Sequence, residues 1–310
     1  MTILVAVLVL LCAVLALTSN RFLSTGNVVA IFQAMAVLCI ASIGQTLAII
    51  TGGFDLSIGG VLPLAGIVFA TTVNTVPGPV GVVVAIFAAL AIGAAVGLVN
   101  GFFITKLKVN PLITTLGTLS VAGGAAFLFN NGVTTIVSSP AAKGLTGPVF
   151  GRLTWDVVMF IGLALLTTLI LHYTIWGRIM YALGGSREAV RRAGIRADRA
   201  TTSIYIASGC FAAFAGVIAA SQLQAASPTS YSNAPLSTIT AVILGGAALY
   251  GGRGTILGTV LGSLLLGVIA NGLNLLQINT FYQTIITGAV LLLAVGLTKI
   301  RDSFSRNNES

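Results

Sequence analysis

Residues able to do covalent chemistry are scarce in this 310-residue chain, which has six acids, one histidine and three cysteines among 37 glycines. Cys12, Cys39 and Cys210 all sit inside apolar runs, with neither C-x-x-C nor Cys/His spacing, so packing is their expected role and no disulfide or metal site is predicted. His172 stands alone at the end of an apolar run, and no nucleophile has a base nearby in sequence. The chain also lacks a G-x-x-x-x-G-K-[ST] phosphate loop; the nearest string, Gly246 to Thr255, has no lysine. No catalytic residue, cofactor or metal is expected. If ATP drives this protein, another chain binds and hydrolyses it.

The polar residues that remain suit binding and motion. TGGFDLSIGG, Thr51 to Gly60, lies between two apolar runs and holds Asp55, the only acid before Asp156. An ionised group at bilayer depth costs about 2.5–3.5 kcal/mol on insertion scales, so Asp55 should lie at an interface, be paired, or line water. Its flanking glycines allow a tight reversal, and its carboxylate can cap the helix that follows. Two roles stay open for it, a cap at a broken helix or a gate. LGGAALYGGRGTILG, Leu244 to Gly258, again places glycine pairs around a single charge, Arg253, and proximity of Asp55 and Arg253 is expected. The amides of Gln33, Gln45, Asn100, Asn271 and Asn274 fall within apolar spans, where they can bond a solute's hydroxyls or join helix to helix.

The longest polar stretch is GRIMYALGGSREAVRRAGIRADR, Gly177 to Arg199. Ser186 can cap a short helix, Glu188 can pair with Arg191 or Arg192 at helical spacing, and Gly194 can stop the helix. Ala189, Val190 and Ala193 leave a narrow apolar strip. Such a helix suits docking into a soluble partner; a basic loop that sets topology and touches anionic lipid is the alternative.

The elements carrying these motifs must be membrane helices. Only 7% of residues are charged, against about 25% in soluble domains. Ten spans are expected, at about 3–19, 28–50, 57–75, 80–103, 111–130, 154–174, 201–222, 236–250, 255–274 and 280–298. The eighth is short, and residues 51–60 can re-enter the membrane. The first run lacks the basic start of a signal peptide and is expected to be retained. With the N-terminus inside, twelve of the fifteen cations fall on the cytoplasmic side, so both termini are expected there. Residues 131–153, rich in Gly and Pro, read as a loop on the outer membrane surface. The chain is expected to be one all-α transmembrane domain, 1–310, with broken or re-entrant segments. Gly97 to Gly117 is similar to Gly267 to Gly288, and its Asn-Gly pair falls on the opposite side, as in inverted repeats.

Taken together, ITGGFDLSIGGVLPLAG, GRIMYALGGSREAVRRAGI and AVILGGAALYGGRGTILGTVLGSLLLGVIANGLNLL, in that order, resemble the permease family of ABC importers for ribose, xylose, galactose, fructose and related solutes. The resemblance runs nearly end to end. It implies a bacterial inner-membrane permease without its own ATPase that forms the translocation pathway for a monosaccharide or similar polyhydroxylated solute. It implies a second permease copy, a cytoplasmic tandem-domain ATPase holding ATP and Mg, and an extracytoplasmic solute-binding protein. The ATPase-coupling role falls by resemblance on Gly185, Ser186, Arg187, Glu188, Ala189, Arg192 and Gly194. Asp55, Gln45, Asn100, Arg253, Asn271 and Asn274 are the gate and pathway candidates. The competing readings are a branched-chain amino-acid ABC permease, which GGFDLSIGG argues against, and an ion-coupled carrier, which would need acids deep in the spans.

Overall fold

A computed structural model describes residues 2–307. The helices are α1 (Thr2–Thr18), α2 (Thr25–Ile50), α3 (Ile58–Thr75), α4 (Gly78–Thr105) and α5 (Pro111–Phe129), then short α6 (Pro140–Lys143). They continue as α7 (Trp155–Tyr173), α8 (Ile175–Gly185), α9 (Arg187–Arg192), α10 (Ala197–Leu223), α11 (Ala234–Leu244), α12 (Ile256–Leu275) and α13 (Thr280–Asn307). Seven of these are long and apolar enough to cross a membrane, and shorter apolar stretches at Leu4–Thr18, Ala234–Leu244 and Phe281–Leu293 complete the ten expected elements. The molecule is an all-α polytopic membrane protein.

At the centre, α10 packs against α2, α3 and α4, while the far side of α2 meets α11 and α12. Lipid gives apolar side chains no reason to prefer protein, so helices associate in membranes through close backbone approach. The α4–α10 crossing shows this. A Cβ on Gly93 would stand 2.2 Å from the Gly209 carbonyl oxygen, and one on Gly209 would stand 2.1 Å from the Gly93 oxygen. Only glycine fits on either side. From Met35 to Ile50, α2 is buried except at Leu38, which makes it the axis around which the other elements are arranged.

Two expectations about element bounds change. The eighth apolar run ends as a helix at Leu244 rather than near residue 250, because Gly246, Gly251 and Gly252 adopt positive φ and carry the chain into a loop back to α12. Residues 131–153 form more than a loop. β1 (Thr135–Ile136) pairs antiparallel with β4 (Ala225–Ala226), Thr135 opposite Ala226, and β2 (Pro148–Phe150) pairs with β3 (Leu153–Thr154). The Ser221 hydroxyl donates to the Ala142 carbonyl at 2.5 Å, and Val137 and Ala142 are buried. This small cap is thereby tied to the end of α10. The side chains of the C-terminal cations Lys299, Arg301 and Arg306 lie outside the described residues.

Candidate functional site

The three motifs, far apart in sequence, meet at the bundle end that the charge pattern assigns to the cytoplasm. At the break between α2 and α3, Gly52 takes φ +79°. The Gly252 amide donates to the Ile50 carbonyl at 2.7 Å, which joins the α11–α12 loop to the end of α2. Gly184, near the end of α8, closes the junction: a Cβ there would lie 2.0 Å from Ile50 O and 2.2 Å from Gly252 N. The Tyr181 hydroxyl donates to the Gly254 carbonyl at 2.8 Å, so α8 is fastened to the same loop. Partial burial raises the Tyr181 phenol above its ordinary range, which keeps it the neutral donor this bond requires. The indole of Trp176 donates to Ser203 Oγ at 2.8 Å and lays α8 along α10. A shift of α8 therefore acts directly on backbone at the α2–α3 break and at the α11–α12 loop.

α9 follows α8 after a single extended residue, Ser186. The Ser186 hydroxyl accepts the Ala189 amide at 3.2 Å, Arg192 meets Glu188 at 3.2 Å, and Gly194 leaves the helix at φ +77°. The expected apolar strip divides. Ala189 and Ala193 are exposed, but Val190 is buried against the chain's own Leu171, Met180 and Ile204 cluster. Val190 anchors the segment because it is the only branched side chain of the three, and the face left for a partner is polar. Gly185, Ser186, Glu188, Ala189, Arg192 and Gly194 are all exposed, while Arg187 is half-buried. Its guanidinium donates to Asp198 Oδ1 at 3.0 Å, and Arg191 and Lys108 approach that same oxygen at 3.4 Å. Sequence patterning had not singled out this cluster; its signal was a lone acid in a basic segment, ten residues from Glu188.

Asp55 is fully buried and meets no cation among the described residues. The expected proximity to Arg253 holds for backbone only: Gly52 lies against the Tyr250 carbonyl, whereas Arg253 is exposed to solvent and Asp55 points into the bundle. Three donors offset the burial instead. Oδ1 accepts from the Ser57 amide at 3.0 Å and the Ser57 hydroxyl at 2.5 Å, and Oδ2 accepts from Ser208 Oγ at 2.6 Å. Asn100 extends the network, donating to Ser57 Oγ at 3.0 Å and accepting from Thr118 Oγ1 at 2.7 Å. This polar cluster pins the start of α3 to α4, α5 and α10. Ser57, Thr118 and Ser208 went unremarked in sequence because serine and threonine are common in membrane helices and give no periodic signal.

Asn271 also joins helices, exchanging two hydrogen bonds with Asn27 at 2.9 and 3.0 Å. Asn100, bonded to Ser57 beyond the end of α2, and Asn271, bonded to Asn27 at the start of α2, thus lie toward opposite ends of the bundle. Asn274 faces a cavity of about 410 Å3 in the outer half, bounded by α2, α3, α11, α12 and α13 and lined also by Tyr231, Asn233, Thr238, Gln283 and Thr287. That volume lies within the range of small-molecule sites, about 300–1,000 Å3. Gln45 is fully buried, and neither of its amide atoms has a hydrogen-bond partner among the described residues.

Comparison with known proteins places these features in a lineage. The chain is 38% identical over 305 residues to the ribose import permease protein of Escherichia coli (strain K12), covering 94% of this chain and 91% of that one. It is 31% identical to the fructose import permease protein of Rhizobium meliloti (90% of this chain, 79% of that one) and 31% identical to the L-arabinose ABC transporter permease protein of Azospirillum brasilense (98% and 87%). No solved structure matches the chain. Through the match that runs over residues 27–295, the chain belongs to the family described as the permease component of the branched-chain amino acid transport system.

Proposed function

We propose that the protein is the membrane-spanning subunit of an ATP-driven sugar importer of the bacterial inner membrane. The observation that carries this reading is the meeting of Ile50, Gly184 and Gly252 at one junction, which joins a polar, exposed helix to both broken segments of the bundle. A soluble ATPase docking on α9 would move α8, which packs on the end of α2 at Ile50 and is hydrogen-bonded to the α11–α12 loop at Gly254. Energy from a separate chain is thereby turned into opening and closing of the bundle. A second permease copy and an extracytoplasmic solute-binding protein complete the assembly on this reading, with both termini in the cytoplasm.

A monosaccharide is favoured as solute over a branched-chain amino acid. The relatives sharing 31–38% identity across most of the chain are named for ribose, fructose and L-arabinose. The outer cavity agrees with this: its lining among the described residues offers hydroxyl and amide groups and no charged side chain to meet an amino acid's ammonium or carboxylate. The test is uptake by liposomes holding the permease with its ATPase and binding protein, with D-ribose, D-fructose, L-arabinose and L-leucine as probes. ATP-dependent uptake of one of the sugars supports the proposal, whereas uptake of leucine alone overturns the choice of solute.

A further inference from the structure

Gln45 poses a problem that packing does not answer. Buried side-chain amides nearly always find partners, because desolvating both a donor and an acceptor without compensation is costly. Here Oε1 and Nε2 are both sealed from solvent, with no hydrogen-bond partner among the described residues. A leucine of similar volume would fill the position at no such cost. An amide fully enclosed without a partner points to another state in which the amide is used.

Its location indicates which state. Gln45 lies one helical turn beyond Ala41 on the same face of α2. Ala41, with Leu62 and Thr238, belongs to the wall of the outer cavity, and Thr238 and Ala41 are themselves buried. In the other direction α2 ends five residues later at Ile50, whose carbonyl is held by Gly252 and closely approached by Gly184. Gln45 therefore stands between the cavity and the junction through which α8 would act. None of the described residues lining the cavity is charged, so the solute that suits both cavity and amide is neutral and rich in hydroxyls.

We infer that Gln45 is the constriction residue of the solute path: occluded in this closed state, it donates to and accepts from the hydroxyls of a neutral sugar once the α2–α3 break shifts. The inference rests on the sugar-importer reading above and adds a specificity-determining residue within the permease. A solute carrying a carboxylate or phosphate finds no counter-charge here and is rejected even when a binding protein delivers it.

The test compares wild type with Gln45→Leu and Gln45→Asn in the complete importer, with D-ribose, D-fructose and L-arabinose as probes and with both uptake and ATP hydrolysis measured. Gln45→Leu should lower uptake kcat/KM about two- to tenfold, one net hydrogen bond's worth in the crossing step, while hydrolysis stimulated by the loaded binding protein stays at its wild-type rate. Its melting temperature should equal or exceed that of wild type, since an uncompensated amide is removed. Gln45→Asn, which keeps the chemistry one methylene shorter, should recover part of the uptake. Wild-type uptake kcat/KM in Gln45→Leu overturns the inference. So does a fall in melting temperature with loss of both uptake and hydrolysis, which would make Gln45 a structural residue. If the wild-type importer moves none of the three sugars, the functional reading itself has failed and the inference falls with it.

Discussion

Substituting Gly184 by alanine tests the mechanical junction with a single methyl group. The added carbon would stand 2.0 Å from Ile50 O and 2.2 Å from Gly252 N, where non-bonded contact needs about 3.5 Å. The shortfall of about 1.5 Å falls on backbone atoms, which cannot turn away as a flexible side chain can. Relief requires α8 to lift from the junction or the Gly252–Ile50 hydrogen bond, 2.7 Å long, to open. Overpacking of this kind costs about 1–3 kcal/mol and the lost hydrogen bond about 1 kcal/mol more. Helix propensity pulls the other way by only about 1 kcal/mol, so the clash wins. Gly162→Ala in α7 is the control, because a Cβ there meets nothing within 4 Å; it should be neutral or slightly stabilising. The assay is sugar taken up per ATP hydrolysed in liposomes containing the complete importer, alongside a melting curve in detergent. Gly184→Ala should keep hydrolysis and lose most uptake, or lose both if α8 lifts entirely. Uptake per ATP equal to that of Gly162→Ala would refute the claim that this junction transmits motion.

Other substitutions separate stability from coupling. Reversing the charge at Glu188 together with Arg192→Ala should uncouple hydrolysis from uptake with little loss of fold, because both side chains are largely exposed and their pair is worth about 0.3–0.5 kcal/mol; unchanged uptake at normal expression would count against docking on α9. Asp55→Ala strands the Ser57 amide and two hydroxyls in a fully buried site, at about 1–3 kcal/mol for each unsatisfied group. Asp55→Asn should cost much less, since Ser208 can turn from donor to acceptor, and thermal unfolding of the two variants would show the difference. Asp198→Ala leaves Lys108, Arg187 and Arg191 without their shared carboxylate; hydrolysis stimulated by the binding protein should fall more than melting temperature does, and raising salt in wild type should mimic part of the loss.

The sequence revealed most where a pattern had a physical cause. Apolar runs located the seven helices long enough to cross a membrane and the three shorter apolar ones, and the Ser186, Glu188 and Gly194 spacing described α9 to within a residue. It was less informative where the outcome depended on tertiary contact. Asp55 was expected at an interface, paired or beside water, but hydroxyls on α3 and α10 satisfy it, and a serine 153 positions away cannot be paired with it from sequence. Val190 reads as a partner-facing residue when its helix is taken alone; the cluster that buries it is drawn from α2, α7, α8, α10 and α12. The eighth span was overrun because hydropathy continues through Ala247 and Leu249 although positive φ at Gly246 has already ended the helix. The close crossing of α4 and α10 at Gly93 and Gly209 was visible only as excess glycine until the two backbones were seen together.

The central claim is that a separate ATPase acting on the α8–α9 segment drives solute across this bundle. Uptake of D-ribose, D-fructose and L-arabinose should be measured in liposomes holding this permease and its binding protein, with the partner ATPase either intact or unable to hydrolyse ATP. The account predicts uptake of at least one sugar with the intact ATPase and none with the inactive one, whatever ion gradient is imposed. Uptake driven by a proton or sodium gradient without a working ATPase would contradict it.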